Sequence, residues 1–297
     1  MIAEADVVLL VGNRTNQNGT DSWTLYPPDA RYIHIDPDPV EIGRNYEALR
    51  LVGDAKLTLA ALREAMLAQD LAPRAAARPG VEAQIAAAIA DWRGLVARVT
   101  TRDGGPVRPE RVAAEIDRRL PADGIMVADA SYSSNWINIY MTAKRAGQRF
   151  LSPRGLAGLG WGVPMAIGAQ VASPGSRVVC LCGDGGFGHS WAELETLRRL
   201  KLPLTVVVLN NGILGFQKHA EDTKFGAHTD AVDFAEVDHA AIARACGIAG
   251  VRVARGEDLG PALDAAFASG APTLIEVMTD PDGKPPLTMY ASYPEPF

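Results

Sequence analysis

Cysteine is scarce in this sequence, which has three cysteines in 297 residues. Two of them, Cys180 and Cys182, alternate within the apolar run at 178–182, a pattern typical of a buried strand. With so few Cys and His residues nearby, a metal site of the zinc type is disfavoured, and we interpret both thiols as small buried hydrophobic groups. Nothing in the spacing indicates disulfides, which fits a reducing cytoplasm.

Long apolar segments and basic clusters are also lacking. No stretch is long enough to span a bilayer, and no secretory signal peptide precedes the first apolar run at 7–11. The net charge is −6 at pH 7, which disfavours nucleic acid and anionic membranes as partners. We therefore expect a cytoplasmic protein that binds neither nucleic acid nor membrane.

Short β-rich runs alternate with Ala- and Leu-rich helical runs, which predicts an α/β fold built on parallel sheets. Three regions are predicted: a half domain at 1–69, a linker and helix at 70–107, and a doubly wound unit at 108–297. In the last region the predicted strands are 124–128, 177–182, 204–209, 251–253 and 273–277. The predicted helices there are 109–120, 164–171, 190–200, 239–246 and 257–268. Helices between such strands predict a parallel sheet covered on both faces.

The first region has the pattern of half a Rossmann-like domain. It carries predicted strands at 7–11 and 32–36 and a predicted helix at 57–68. The following segment, 73–80, is rich in Pro, Ala and Arg and is predicted to be a linker, with a helix after it at 83–96. We place the domain boundary in this part of the chain.

The strongest chemical signal lies at the ends of two predicted strands. Gly183-Asp184-Gly185-Gly186 directly follows the strand at 177–182, and Asn210-Asn211 directly follows the next strand. Glycines at such a strand end let backbone N–H groups approach a phosphate. Mg²⁺ neutralises a diphosphate and prefers oxygen ligands, of which Asp184 and Asn211 supply two. Either segment alone is more often a simple turn, but the pair favours a Mg²⁺–diphosphate site.

These motifs, with 24 residues between Gly185 and Asn210, resemble the Gly-Asp-Gly…Asn-Asn motif of thiamine-diphosphate-dependent enzymes. The sequence around them, GDGGFGHSWAELETLRRLKLPLTVVVLNNGILGF, is similar to the acetolactate-synthase-like branch of that family. The resemblance implies thiamine diphosphate and Mg²⁺ as cofactors. The implied Mg²⁺ ligands are Asp184, Asn211 and the main-chain carbonyl of Ile213. The implied diphosphate-binding segment is Gly183, Gly185 and Gly186, with the last two donating N–H groups.

A second similarity lies upstream, in the segment GLAGLGWGVPMAIGAQ, which resembles the family loop beneath the cofactor rings. The resemblance implies that Leu159 holds the cofactor bent, so that its amine lies close to the carbon it deprotonates. It also implies that the carbonyl of Ala157 accepts a hydrogen bond from that amine. Plain core packing is the alternative for Leu159. Ser131 and Ser133 are implied hydroxyl donors to the diphosphate, although a serine that caps the next helix explains this segment equally well.

The resemblance implies that the segment after the Mg²⁺ ligands Asn211 and Ile213 faces the substrate. The residues of this segment are Phe216, Gln217, Lys218 and His219. A solvated helix face explains the polar ones equally well. Ala220 stands where acetohydroxyacid synthases carry a large aromatic residue, so their particular substrate is not supported. The resemblance therefore implies action on 2-oxo acids or 2-hydroxyacyl substrates, by decarboxylation, carboligation or C–C lysis.

The segments ADVVLLVGNRTN and YIHIDPDPVEIGRNY resemble the second half of the family's central domain. That domain binds FAD or an ADP-containing ligand in some relatives and nothing in many. Asp36, at a strand end, could hold a ribose, but a structural turn explains it better. FAD is therefore not supported.

The family's catalytic glutamate belongs to a pyrimidine-binding domain that this sequence lacks, so no catalytic residue is assigned. We expect that domain to come from another chain or from a segment upstream, and we expect little activity without it. An oligomer is also expected, with Trp161, Trp191 and Phe216 as candidates for the contact face. The alternative is a non-catalytic, truncated module that only binds the cofactor.

Overall fold

The computed structural model describes residues 2–287, which divide into two compact units with the main break between Leu95 and Val96. Residues 288–297, which the sequence assigns to the larger unit, lie outside the described residues. Within the described residues, no helix has the length and apolar character needed to cross a membrane.

The first unit contains a parallel sheet in the order β1-β2-β3, a helix that follows it, and residues 72–95 of a second, longer helix. Its elements are β1 (Val7–Val11), β2 (Arg31–Asp36), β3 (Ala48–Val52) and α1 (Ala55–Leu67). Val8 and Leu10 of β1 are buried while Val7 and Leu9 are exposed, as a strand with one covered face requires. Asp54 caps α1 by accepting the N–H of Leu57. The two strands and the helix predicted here are confirmed, and β3 is an addition.

Residues Ala72–Thr100 form one long helix, α2, in which the segment 73–80 is helical. The prediction of a linker at 73–80 is therefore wrong. Pro79 lies inside the helix, and proline usually weakens a helix interior. The Ala and Arg residues on both sides have high helix propensity, and they outweigh that single breaker. The break between the two units falls within α2, whereas the boundaries at 69 and 107 stay predictions.

The second unit is built on six parallel strands in the order β5-β4-β6-β7-β9-β8. The strands are β4 (Ile125–Ala128), β5 (Arg149–Leu151), β6 (Val178–Gly183), β7 (Thr205–Asn210), β8 (Ala249–Val253) and β9 (Thr273–Met278). The helices are α3 (Pro109–Arg119), α4 (Tyr132–Tyr140), α5 (Gly162–Ala172), α6 (Asp184–Gly188), α7 (Glu193–Arg199), α8 (Gly215–Phe225), α9 (His239–Ala245) and α10 (Gly256–Ser269). The predicted doubly wound parallel α/β fold is confirmed.

The centre of this sheet is its most buried part. Every residue of β7, and every residue of β6 except Gly183, is buried, as expected for strands covered on both faces. Cys180 and Cys182 are buried free thiols, which confirms their interpretation as packing residues. Because β4, β6 and β7 are neighbours and parallel, their carboxyl ends lie side by side at one edge.

Candidate functional site

A polar residue directly follows each of these three strands. Asp129 follows β4, Asp184 follows β6 and begins α6, and Asn211 follows β7. Strand pairing aligns Ala128 with Leu181 and Gly183 with Leu209, so the three residues lie along one edge of the sheet. Ligands of open α/β sheets bind at this edge.

Asp184 is buried, with 6% of its surface exposed. Its Oδ1 accepts the N–H of Gly185 at 2.8 Å, and its Oδ2 accepts the N–H of Gly212 at 2.7 Å. Burial raises the pKa of this carboxyl to about 6, although the backbone hydrogen bonds oppose that shift. A bound cation would supply a charge that compensates this buried carboxylate.

The loop after β7 is held in place by a hydrogen bond within it and by contacts with residues 233 and 234. Asn211 Oδ1 accepts the N–H of Ile213 at 3.3 Å, and Ile213 forms an antiparallel bridge with Asp233. The N–H of Phe234 donates to the carbonyl of Gly212 at 2.8 Å. Together with the bond from Gly212 to Asp184, these contacts hold Asp184 next to the loop that carries Asn211 and Ile213.

Asn210 has a different role from its neighbour. Its Nδ2 donates to Glu276 Oε1 at 2.7 Å and to the carbonyl of Val237 at 3.1 Å. Glu276 is fully buried, and its Oε2 accepts the N–H of Ala240 at the start of α9. The pair therefore anchors the end of β7 to β9 and α9. Sequence reasoning missed Glu276, although an acidic residue within the apolar strand TLIEVM is a usable signal.

Packing explains two of the glycines that follow β6. A Cβ at Gly186 would lie 2.0 Å from Asp129 Oδ2, and a Cβ at Gly185 would lie 2.8 Å from the side chain of Leu214 and 3.1 Å from Phe234. A Cβ at Gly183 would meet nothing within 4 Å. Gly185 and Gly186 are thus needed for close packing, while space remains open at Gly183.

Asp129 organises the loop that leads into α5. Its Oδ2 accepts the N–H of Gly160 at 3.0 Å, and its Oδ1 accepts the N–H groups of Trp161 and Gly162, each at 3.1 Å. A carboxylate in this place satisfies the free N–H groups at the start of a helix and favours its positive end. This role of Asp129 is not apparent from the sequence, where it only follows the predicted strand at 124–128.

Ala157 and Leu159 directly precede the backbone segment that Asp129 holds, which begins at Gly160. Ala157 has φ +52, a conformation unusual for a residue with a side chain. Leu159 is 36% exposed and Trp161 is 63% exposed. Core packing, the alternative interpretation of Leu159, is therefore not what the described residues show.

The two serines after β4 differ in their surroundings. Ser131 stands at the cap position of α4 with φ +66, and its side chain makes no capping hydrogen bond. Ser133 is buried within the first turn of α4. The hydroxyl of Ser131 is therefore not used as a helix cap, which was the alternative to a ligand contact.

The four residues predicted to face the substrate belong to α8 and have unlike environments. Gln217 is exposed and donates to Glu221 Oε1 at 2.7 Å, as on a solvated helix face. Phe216 is half-buried, as is Lys218, and the Phe216 ring packs edge-to-face on Tyr132. His219 is buried, and its Nδ1 lies 3.0 Å from the Tyr132 hydroxyl. Burial, and after it the positive charge of Lys284, lowers the His219 pKa to about 4.

The donor set at the ends of β6 and β7 fits Mg²⁺. It consists of one carboxylate, one amide oxygen and one main-chain carbonyl, which are the hard oxygen ligands that Mg²⁺ prefers. Within residues 2–287 there is no group of three or more His, Cys, Asp or Glu placed to hold a metal ion. A site with a single carboxylate suits a cation that is also bound by the ligand's phosphates.

Comparison with known proteins matches both parts of the chain to one family. Residues 129–277 match the C-terminal TPP binding domain of thiamine pyrophosphate enzymes, and residues 1–62 match their central domain. This chain belongs to the thiamine pyrophosphate enzyme family. Thiamine pyrophosphate is another name for thiamine diphosphate, so the match confirms the family inferred from the Gly-Asp-Gly…Asn-Asn motif.

The relatives of this chain are named for several different activities. A probable acetolactate synthase large subunit of Methanocaldococcus jannaschii is 29% identical, over 94% of this chain and 47% of the relative. The benzoylformate decarboxylase of Pseudomonas aeruginosa is 32% identical, over 92% of this chain and 48% of the relative. A solved structure, the thiamine diphosphate-dependent 4-hydroxybenzoylformate decarboxylase of Rhodococcus jostii, aligns with a TM-score of 0.70 at 27% identity, over 94% of this chain and 50% of the other. The chain thus spans about half the length of these relatives.

Proposed function

We propose that this chain holds the diphosphate and Mg²⁺ of thiamine diphosphate in an enzyme that acts on 2-oxo acids or 2-hydroxyacyl substrates. The observation that carries the proposal is the buried Asp184 carboxylate, which is hydrogen-bonded to the loop after β7 and has a raised pKa. Asp184, Asn211 and the carbonyl of Ile213 would bind Mg²⁺. The N–H groups at 183–186 and the hydroxyls of Ser131 and Ser133 would hold the diphosphate.

The remaining site residues would orient the cofactor rings and the substrate. Leu159, which is exposed, would support the bent cofactor, and the carbonyl of Ala157 would accept a hydrogen bond from its amine. When bound, thiamine diphosphate supplies a nucleophilic carbon that adds to a substrate carbonyl. Phe216 and Lys218 would line the side of the site that faces the substrate. Gln217 would lie at the edge of that side, exposed to solvent, and the buried His219 would lie behind it. Decarboxylation, carboligation and C–C lysis all fit this arrangement.

The pyrimidine-binding part would come from a separate chain or from a segment upstream. The chain spans about half the length of its relatives, and the glutamate that activates the cofactor is expected in the other half. Assembly into an oligomer follows, with the exposed Trp161 at the contact face; Trp191 packs on Phe187 and His239 instead. FAD is not part of the proposal, because Asp36 Oδ1 accepts the N–H of Asp38, as in a structural turn.

Calorimetry tests the proposal directly. Thiamine diphosphate is titrated into the 297-residue chain in the presence of Mg²⁺, and the titration is repeated with Asp184→Ala and with Asp36→Ala. Asp36 is the matched control, since it is also a buried aspartate at the end of a parallel strand, in the first unit. We expect binding by the unmodified chain and by Asp36→Ala, and at least a tenfold loss in Asp184→Ala. Equal binding by all three proteins would refute the assignment.

A further inference from the structure

Tyr132 lies where two parts of the proposed site meet. One is the segment after β4, which carries Ser131 and Ser133, and the other is the segment after β7, which carries Asn211 and Ile213. Tyr132 is the first residue of α4 and stands between Ser131 and Ser133. Its side chain is buried and contacts α8, the helix that follows the loop after β7. One side chain therefore touches structural elements from both halves of the site.

Three contacts along α8 define this junction. The Tyr132 hydroxyl lies 3.0 Å from Nδ1 of His219, and the Tyr132 ring packs edge-to-face on Phe216 with ring centroids 5.6 Å apart. A Cβ at Gly215 would lie 3.5 Å from two atoms of the Tyr132 ring and 3.3 Å from Asn211 Nδ2. The tyrosine ring and the Asn211 side chain therefore both pack against the first residue of α8.

The hydrogen bond between Tyr132 and His219 joins two neutral side chains that are buried away from water. Both side chains are buried, and burial is the main cause that holds the His219 pKa near 4. A neutral imidazole with its proton on Nε2 accepts at Nδ1, which matches the tyrosine hydroxyl as donor. Such a bond is electrostatically stronger than one exposed to water, because the local dielectric constant is low.

We infer that Tyr132 and His219 form an interlock that fixes the spacing between the loop after β4 and the loop after β7. Tyr132 is then a positioning residue for the Mg²⁺–diphosphate, although it touches neither group. A ligand that bridges two loops binds more weakly when it must order them itself, so a preformed spacing favours binding. This inference rests on the proposed function.

The substitution Tyr132→Phe tests the interlock, since it keeps the ring contacts with Gly215 and Phe216 and removes only the hydroxyl. We expect the affinity of the 297-residue chain for thiamine diphosphate, at saturating Mg²⁺, to fall by about three- to tenfold. The matched control is Tyr32→Phe, which loses a hydroxyl bonded to the carbonyl of Pro27 at 2.6 Å in the first unit. That variant should bind like the unmodified chain, with both variants measured at a temperature where each is fully folded.

A double-mutant cycle separates the interlock from a general loss of packing. His219→Leu alone should weaken binding as Tyr132→Phe does, and the double variant should be no weaker than either single one. His219→Asn retains a polar atom near the position of Nδ1 and should recover most of the affinity. A purely structural role would give additive losses and no recovery.

The outcomes distinguish this inference from the proposed function. If the unmodified chain fails to bind, the proposed function falls and the inference falls with it. If the unmodified chain binds and Asp184→Ala does not, the proposed function stands. In that case unchanged affinity in Tyr132→Phe, an equal loss in Tyr32→Phe, or additive losses in the cycle would each overturn the interlock alone.

Discussion

At the scale of the residue, the buried Asp184 makes folding depend on pH. Its pKa is about 6 in the folded chain, against an ordinary value of 3.8. Because the folded state favours the protonated acid, the stability from this group is fully present below pH 4 and is lost as pH rises through about 6. The loss is on the order of 3 kcal/mol in the free energy of unfolding.

Urea unfolding without Mg²⁺ measures this effect when the unmodified chain is compared with Asp184→Asn. Relative to the variant, the unmodified chain should be less stable at pH 7.5 than at pH 4.5, because only its carboxyl titrates in this range. The difference should shrink when Mg²⁺ is added at pH 7.5, since a bound cation compensates the charge. A difference between the two proteins that does not change with pH would contradict the expectation.

The pH dependence of folding stability that comes from His219 has the opposite sign to that from Asp184. The pKa of His219 is about 4 in the folded chain and 6.5 ordinarily, so its contribution is present above pH 6.5 and is lost as pH falls through about 4. We expect the unmodified chain to lose about 2–3 kcal/mol relative to His219→Asn between pH 7.5 and pH 4.5. Parallel pH profiles for the unmodified chain and His219→Asn would refute this.

At the scale of the element, the short helix α6 offers a matched pair of glycines. A Cβ at Gly186 would lie 2.0 Å from Asp129 Oδ2, whereas a Cβ at Gly188 would meet nothing within 4 Å. Gly186→Ala should therefore cost about 1–3 kcal/mol or more in unfolding free energy and should displace the cap of α5. Gly188→Ala should be neutral or should stabilise by roughly 0.5–1 kcal/mol, because alanine favours helix. Denaturant unfolding of the two variants checks this, and equal losses would show that α6 packs differently.

The strands and helices that could be predicted from sequence are those with strong periodicity or composition. β6 and β7 are continuous apolar runs of the kind a doubly covered sheet needs, and both were predicted within one residue of their ends. β3 has only five residues, with polar Arg50 in its middle, and carries little signal. The linker prediction at 73–80 failed because one proline does not decide the conformation of an Ala-rich segment.

The site could be predicted only in part, for a geometric reason. That Asp184 and Asn211 lie close together is predictable, because the ends of neighbouring strands in a parallel sheet are adjacent whatever the details of packing. The roles of Asp129, Tyr132 and Glu276 depend on which way each side chain points and on which loop packs against it. Periodicity fixes a face but not a partner, so a buried pair such as Tyr132 with His219 emerges only from the folded chain.

At the scale of the whole molecule, the two matched domains set what the chain can do alone. The match covers a central domain and a TPP binding domain, and the chain spans about half the length of its relatives. The proposed site has ligands for Mg²⁺ and the diphosphate, but no acidic residue is assigned to activate the cofactor. Binding and turnover should therefore separate in this chain.

We expect the isolated 297-residue chain to show negligible decarboxylation of pyruvate or benzoylformate with Mg²⁺ and thiamine diphosphate. General acid–base catalysis contributes about 10²–10⁴-fold, and poor placement of the cofactor rings adds a further loss. A pyrimidine-binding domain added in trans, or fused upstream, should restore turnover with the unmodified chain but not with Asp184→Ala, as a coupled assay of carbon dioxide release would show. Robust turnover by the chain alone would instead mean that the activating group lies within it, and His219 and Glu221 would be the first residues to change.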